Sequence, residues 1–276
     1  MTRSVQVAVL ALLVVWPACA AAQALPDLSD VREKSSLTAN DRSRIQDFVT
    51  TTVRAMLANT DPDRRGMVAA RNNLLTEVQS TEGRTEAYRQ AFAEEAVKVL
   101  QKAGDQAVSQ PARVNYVMVL AGLQTFDAAP LLQTALVEDP YAGSRYWAAK
   151  GLAQLAPKIV QRVVPSLERE IAASIQKALQ KSQPVPVLMP LFDALGTFDH
   201  EEAHTVLAAG VIAKAKDLDM SAPLVQKMVS DVVRSLERAY SREVRPEAKK
   251  DILLAYATLC THILPPPPEP DAPAPA

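Results

Sequence analysis

DPYAGSRYWAAKGL, residues 139–152, is the stretch of this 276-residue sequence that says most about its fold. Asp139 and Pro140 are typical of a helix start: an Asp side chain can accept a hydrogen bond from a free N–H group of the first turn, and Pro has no N–H to leave unpaired. Alanine and leucine then follow at helical spacing. The pattern predicts a helix that ends near Leu155.

Similar helix starts recur along the rest of the chain, including a capping box at Thr38-Ala39-Asn40-Asp41. A long helix is predicted to open at Pro157 and run to about Leu179, and three prolines between Gln183 and Pro190 predict a break before a short helix to Leu195. The other helices are predicted to begin near Thr38, Asp61, Glu82, Pro111, Asp127, Asp139, Asp199, Ser221 and Pro246. About eleven helices with short links, and no alternating strand pattern, predict an all-α fold.

The composition limits the classes of function that fit this chain. Apolar residues make up 48% and charged residues 22%, which is typical of a folded protein and excludes a disordered chain. Lys plus Arg total 30 against 31 for Asp plus Glu, so the formal charge is −1. A general nucleic-acid binder needs clustered cations to neutralise phosphates, and we therefore expect no nucleic-acid partner.

The first 24 residues have the pattern of a secretory signal peptide. Arg3 supplies a positive start, residues 5–15 form an apolar run, and alternate alanines from Ala18 to Ala24 offer cleavage sites. The run is shorter than the ~20 apolar residues of a membrane span. We expect cleavage near Ala22 or Ala24 and an exported mature chain, in the periplasm or outside the cell, without a transmembrane segment.

We expect different roles for the two cysteines. Cys19 follows Trp16-Pro17-Ala18, which faintly resembles a bacterial lipoprotein signal, so lipid anchoring at Cys19 is the alternative to simple cleavage. After cleavage only Cys260 remains, which excludes an internal disulfide. Cys260 follows an apolar run, and we expect it to be a small buried hydrophobic residue.

The end of the sequence, residues 265–276, contains seven prolines in PPPPEPDAPAPA. Such a segment cannot pack into a core and is expected to be extended, polyproline-like and solvated. A spacer is the favoured role, and a ligand for an aromatic groove is the alternative.

Two short patterns recur within the chain. Residues 123–127 (LQTFD) are echoed at 195–199 (LGTFD), and residues 163–169 (VVPSLER) at 232–238 (VVRSLER), with offsets of 72 and 69 residues. The similar order and spacing predict a duplicated multi-helix unit. Separately, the three prolines between Gln183 and Pro190 lead us to expect that the helical domain, residues 25–264, divides there into sub-units of about 38–182 and 183–264.

The stretch from Arg113 to Leu155 resembles the HEAT-like (armadillo-type) α-helical repeats. In that family the first helix of a pair ends in a Leu-Gly-like turn followed by Asp, and the second often starts with Asp and then Arg. Residues 123–127 match the turn, and Asp139 and Arg145 match the second helix, while Ser144 departs from the usual Val.

The resemblance implies a right-handed α-solenoid of stacked antiparallel helix pairs, in which stacking buries the apolar face of each pair. It also implies a non-catalytic scaffold that binds another protein of the cell envelope or exterior. We therefore assign no catalytic, cofactor-binding or metal-binding residue and expect no cofactor.

One motif suggests a different function. His200-Glu201-Glu202-Ala203-His204 spells H-E-x-x-H, the signature of zinc metallopeptidases, in which two histidines one turn apart bind zinc and the glutamate acts as general base. The alternative function is thus a zinc-dependent hydrolase. A third ligand would come from Glu237, Glu243, Glu247 or His262.

An ordinary helix start explains the same residues. Asp199 suits an N-cap, Glu202 follows it at capping-box spacing, and glutamates in a first turn interact favourably with the helix dipole. The metallopeptidase signature also prefers uncharged residues where Glu202 stands. We therefore interpret the motif as a helix start.

Arg145-Tyr146-Trp147 is the remaining candidate, because binding sites favour these residue types. The competing interpretation, which we favour, is that an aromatic ring packs between repeats and Arg145 pairs with a nearby Asp. The sequence contains no P-loop, G-x-S-x-G or G-x-G-x-x-G pattern.

Overall fold

The structure, a computed structural model, describes residues 25–58, 64–219 and 221–263. Within these ranges the chain forms α-helices and two 3-10 turns and no strand, which confirms the predicted all-α class. The helices are α1 (Ser29–Arg32), α2 (Ala39–Ala58), α3 (Arg65–Gln79), α4 (Glu86–Ala103), α5 (Gln110–Leu123), α6 (Ala129–Glu138), α7 (Ala142–Arg162), α8 (Pro165–Leu179), α9 (Val185–Thr197), α10 (Glu201–Ala215), α11 (Pro223–Arg242) and α12 (Pro246–Ile263).

Several predictions fall outside the described residues. These are the signal peptide at 1–24 with Cys19, the helix start at Asp61, and the Pro-rich segment at 265–276. No helix in the described part of the chain is long and apolar enough to cross a membrane.

From α3 onward the helices alternate between two rows. In the first row α3, α5, α7, α9 and α11 pack side by side in that order, and in the second α6, α8, α10 and α12 do the same. Consecutive helices also contact each other across the two rows, and α2 packs against both α3 and α4. Within each of these two rows, helices that are two apart along the chain are therefore lateral neighbours.

The core runs along the whole array instead of filling one centre. A single cluster of buried apolar side chains extends from Leu28 to Leu259. Alanine is frequent in it, and small side chains let neighbouring helices approach closely. Burying one leucine stabilises the fold by roughly 1.5–3 kcal/mol, so each helix is held mainly by the apolar face it turns to its neighbours.

The capping box predicted at the start of α2 is present. The Thr38 hydroxyl accepts a hydrogen bond from the Asp41 N–H at 3.2 Å, and the Asp41 carboxylate accepts one from the Thr38 N–H at 2.9 Å. Lys34 donates to Asp41 at 2.6 Å, and this bond, followed by those from Thr38, lowers the pKa of Asp41 to about 2. The side chains that α2 turns to the core recur at helical spacing and are all buried: Ile45, Phe48, Thr52 and Met56.

The predicted helix boundary at Pro157 is wrong. Pro157 lies inside α7, which continues to Arg162, and the break comes at Val163, whose φ is 54°. Pro165 then occupies the first turn of α8. Ala156 and Ile159 are buried on the same face as the rest of α7, so packing outweighs the one main-chain hydrogen bond that Pro157 cannot donate.

The break predicted between Gln183 and Pro190 is also wrong, because α9 already begins at Val185. Pro186 lies in the first turn, where its missing N–H costs nothing, and Pro190 lies inside the helix. Leu188 and Leu191 are buried on either side of Pro190.

The predicted start of α4 also differs from the structure. This helix starts at Glu86 and not near Glu82, because the turn before it contains a left-handed glycine and ends in a Thr cap.

The two repeated sequence patterns differ in whether their copies occupy equivalent positions in the structure. Residues 123–127 and 195–199 both link a helix of the first row to one of the second, α5 to α6 and α9 to α10. Residues 163–169 form the link after α7 and the start of α8, whereas residues 232–238 lie in the middle of α11. The second echo therefore joins positions that are not structurally equivalent.

Candidate functional site

The H-E-x-x-H residues lie at the start of α10 and do not converge on one open site. His200 precedes the helix as its N-cap, and its Nδ1 accepts a hydrogen bond from the Glu202 N–H at 3.3 Å. His204, one turn later, is only 1% exposed. The Glu201 carboxylate pairs with Arg245 at 3.2 Å.

Both ring nitrogens of His204 are already in use. Nε2 lies 3.0 Å from the main-chain oxygen of Phe198, and Nδ1 lies 3.0 Å from Oε2 of Glu243. A carbonyl oxygen can only accept, so Nε2 carries a proton. The Arg245 guanidinium donates to Glu243 and, against the opposing effect of burial, lowers the pKa of that carboxyl to about 2. Glu243 is therefore an ionised acceptor as well, so an acceptor lies beside each ring nitrogen of His204.

The other residues of the zinc hypothesis do not complete a metal site. Glu237 and Glu247 are exposed, with Glu247 paired to Lys250 at 2.8 Å, and His262 is exposed near the end of α12. A zinc ligand needs a free ring nitrogen, which His204 lacks. Within the described ranges no group of three or more His, Cys, Asp or Glu side chains could hold a metal ion. The donor set does not fit a zinc hydrolase.

The helix start at this position differs in detail from the prediction. His200, and not Asp199, is the N-cap of α10, and it takes the Glu202 N–H that the capping box assigned to Asp199. Asp199 instead pairs with Arg242 at 3.2 Å, and its own N–H donates to Glu168 at 3.1 Å. Asp199 thus joins the start of α10 to α8, and the motif residues Glu201 and His204 join it to the link between α11 and α12.

In the Arg145-Tyr146-Trp147 motif, Arg145 has a structural role. Arg145 donates to the main-chain oxygens of Asp139 and Pro140 at 2.9 and 3.0 Å, and to the Gln183 side chain at 3.0 Å. The predicted pairing with an Asp carboxylate is wrong, because Arg113 occupies the Asp139 carboxylate at 2.6 Å.

The two aromatic rings of this motif lie in edge-to-face contact. The ring centroids of Tyr146 and Trp147 are 5.5 Å apart, and both side chains pack partly buried against the core. The Lys150 ammonium lies 4.5 Å from the Trp147 ring centre. Tyr146 also lines a surface groove. It therefore fits both interpretations of the motif, as a ring that packs against the core and as part of a binding site.

We define the α7–α9–α11 groove as the depression of about 590 Å³ across these three helices of the first row. Its apolar lining comes from all three helices: Tyr146, Pro186, Met189, Pro190 and Leu224. Its charged lining residues are Lys150, Asp193, Lys227, Asp231, Arg234 and Arg238. A large apolar side chain such as Leu224, 45% exposed, is available to a partner here.

The charges of the α7–α9–α11 groove do not balance. Arg238 pairs with Asp193 at 2.6 Å, and Arg234 pairs with Asp231. No described carboxylate pairs with Lys150 or Lys227, which leaves the groove with two uncompensated cations beside an apolar lining. This combination suits a ligand segment that carries both an apolar side chain and carboxylates.

A second depression, of about 750 Å³, lies where α3, α4 and the α5–α6 link meet α7. Its charged lining is balanced, with three acids and three bases: Glu86, Glu94, Asp127, Arg89, Lys158 and Arg162. Burial, and then the nearby Arg162, lowers the pKa of Lys158. This depression is less apolar and shows no preference for a charge.

The α7–α9–α11 groove is therefore the candidate functional site, and Tyr146 is the one lining residue that belongs to a candidate binding motif of the sequence. Its α9 residues were missed because Pro186 and Pro190 were interpreted as a break. Leu224 and Lys227 lie apart from Tyr146 in sequence and meet it only in the folded chain. No protein-family model, curated protein or solved structure matches this chain in the three comparisons made.

Proposed function

We propose that this chain is an exported, non-catalytic HEAT-like α-solenoid that binds another protein of the cell envelope or exterior. Two features support the proposal: the alternation of helices between two rows, and the resemblance of residues 113–155 to a HEAT pair. The step from such an architecture to protein binding is an analogy, since one fold serves many functions. The α7–α9–α11 groove is the observation that carries the proposal.

The groove has the composition expected of a binding site for a polypeptide. An apolar side chain of the partner would displace water from Met189, Leu224 and Tyr146. Carboxylates of the partner would face Lys150 and Lys227, which gives specificity and a faster approach more than raw affinity. The first row of helices would then form the binding face of the solenoid.

Export is the second part of the proposal and rests on the signal-peptide pattern of residues 1–24. Cleavage near Ala22 or Ala24 would leave the described helices complete, because the first of them, α1, begins at Ser29. Sequencing the N-terminus of the protein purified from its own cells tests this. A start near Gln23 or Leu25 supports simple cleavage, whereas a lipidated start at Cys19 would replace it with the anchored alternative.

Site-specific photocrosslinking tests the proposed binding site. A benzoylphenylalanine in place of Leu224 is expected to crosslink one discrete protein in the cells that make this chain. The same group in place of Val163, which is 75% exposed outside the groove, is the matched control and should not. The double variant K150E/K227E should weaken the crosslink severalfold.

Two results would contradict the proposed site. One is the same crosslinked protein from Val163 as from Leu224. The other is a crosslink that K150E/K227E leaves unchanged, because Lys150 and Lys227 are the cations proposed to meet the carboxylates of the partner.

A further inference from the structure

The last described helix, α12, leaves an apolar face uncovered. Five of the ten large hydrophobic side chains exposed in the described chain lie between residues 240 and 256: Tyr240, Val244, Leu253, Leu254 and Tyr256. Leu253 and Leu254 are 53% and 57% exposed. The opposite face of α12 packs into the array through Ala248, Ile252, Ala255 and Leu259. Cys260, next to that buried face, is half-buried and not fully buried as predicted.

An uncovered apolar end is unusual for stacked helices, whose terminal units normally turn a polar face to water. Isolated exposed leucines need no explanation, but a cluster on one terminal helix does. Within the described ranges nothing covers Leu253 or Leu254. A segment that covers this apolar face of α12 is therefore needed.

The charges on α12 are arranged in a definite order. Lys249 and Lys250 lie in the first half of the helix; the Lys249 ammonium is 5.0 Å from the Tyr240 ring centre, and Lys250 pairs with the exposed Glu247. Leu253, Leu254 and Tyr256 follow toward the C-terminal end. Moving back from Ile263, a ligand would therefore meet apolar side chains first and cations second.

The segment that follows α12 has the complementary order. Four prolines at 265–268 come first, and the two acids, Glu269 and Asp271, come next. We propose that this segment folds back along α12, so that the prolines cover the apolar face and Glu269 and Asp271 pair with Lys249 and Lys250. The segment would then be the C-terminal cap of the array instead of the solvated spacer expected from composition.

The lengths agree with this register. A polyproline helix rises about 3.1 Å per residue, which places Glu269 and Asp271 about 19 and 25 Å from Ile263. An α-helix rises about 1.5 Å per residue, which places Lys250 and Lys249 about 20 and 21 Å from the same point. The middle prolines fall about 9–12 Å from Ile263 and Tyr256 about 10 Å.

The inference is independent of the proposed binding function, because it uses none of the residues of the α7–α9–α11 groove. Its test is intramolecular crosslinking in the full chain with benzoylphenylalanine in place of Pro270. The expected product is a crosslink within one molecule to α12 between residues 246 and 254, located by mass spectrometry. Crosslinks spread over the surface, or joining two molecules, would overturn the proposal.

Charge reversal makes the test specific. K249E/K250E is expected to reduce the crosslink on the order of fivefold, since each exposed pair contributes modestly. Adding E269K/D271K to that variant should restore it. K102E/K177E, which reverses two exposed lysines on α4 and α8, is the matched control and should change nothing. A reduction that the second reversal does not rescue would refute the pairing.

A second measurement asks whether the apolar face is covered. Deleting residues 265–276 should increase the binding of a fluorescent hydrophobic dye, and L253E/L254E in the shortened chain should remove the increase. Because both leucines are exposed, these substitutions leave the core intact. Unchanged dye binding after the deletion would show that the segment does not cover α12.

Discussion

His204 shows how a residue singled out by a motif can serve the fold. It is buried where the α9–α10 link meets the α11–α12 link, and it bridges the main-chain oxygen of Phe198 and the Glu243 carboxylate. Glu243 also accepts from the N–H groups of Val244 and Arg245 at 3.0 and 2.9 Å. One imidazole thus satisfies two buried acceptors that belong to different parts of the chain.

Replacing His204 with alanine is expected to destabilise the protein far more than replacing His200. H204A leaves the buried main-chain oxygen of Phe198 without its donor and removes one of the partners of the buried Glu243 carboxylate, which should lower the free energy of unfolding by about 3 kcal/mol. H200A removes an N-cap bond at the surface and should cost about 1 kcal/mol. Urea unfolding of the two variants checks this. Equal losses would mean that His204 is not the bridge described here.

Glu243 should make the stability of the protein depend on pH in the acidic range. The pKa of its carboxyl is lowered from 4.5 to about 2 in the folded protein, chiefly by the hydrogen bond from Arg245. The folded state therefore binds this proton less readily, and the stabilisation is present above about pH 5 and is lost as the pH falls toward 2. E243Q should be less stable at pH 7 and should show a shallower loss of stability between pH 5 and 2.

The matched control for this pH profile is E247Q, which changes an exposed glutamate at the start of α12. Urea unfolding at several pH values compares the two variants with the unaltered protein. A profile for E243Q as steep as that of the unaltered protein would assign the acid dependence to other carboxylates.

At the level of elements, close packing between neighbouring helices decides where helices continue and where glycine is needed. Pro157 and Pro190 each remove one main-chain hydrogen bond, yet α7 and α9 pass through them because each helix has buried residues both before and after its proline. Gly196 in α9 lies against α11, where an added Cβ would be 2.6 Å from the Ser235 Cβ and 2.7 Å from its Cα. The LGTFD echo thus contains a glycine used for helix contact and not for a turn.

Substituting alanine for Gly196 should therefore separate α9 from α11. We expect G196A to lower the free energy of unfolding by about 2 kcal/mol, because main-chain atoms cannot move aside cheaply. G143A, in the first turn of α7, is the control: its Cβ would meet only the end of the Val114 side chain, at 3.2 Å. Helix propensity should then make G143A neutral or slightly stabilising.

Thermal unfolding of the two glycine variants measures the difference. A lower midpoint for G196A with an unchanged or higher one for G143A is the expected pattern. Similar midpoints would mean that α9 and α11 can shift apart without loss, and the wall of the α7–α9–α11 groove would then be less rigid than its packing indicates.

At the scale of the whole molecule, two rows of helices produce both a continuous core and a groove shared by three helices. The core follows from the apolar face that each helix turns to its neighbours. The groove follows from side-by-side packing, which brings Tyr146, Met189 and Leu224 together although they are far apart in the chain. The proposed partner site is therefore formed only when the helices pack together in the whole molecule.

Local signals in the sequence were enough for the class of fold and for many helix starts. The capping box at Thr38 and Asp41 is present, and the absence of alternating apolar patterns agrees with the lack of strands in the described ranges. These features rest on hydrogen bonds and side-chain spacing within a few residues. The sequence therefore contains them without reference to the rest of the chain.

Tertiary structure decided what depends on distant neighbours. The continuation of α7 through Pro157 depends on burial against other helices, and the role of His204 depends on Glu243, 39 residues later. The lining of the α7–α9–α11 groove depends on the lateral order of three helices. Most local propensities are worth fractions of a kcal/mol per residue, and a proline inside a helix costs about 3 kcal/mol. Burial of one large side chain is worth roughly 1.5–3 kcal/mol, so the several buried side chains of α7 and of α9 together outweigh even an internal proline.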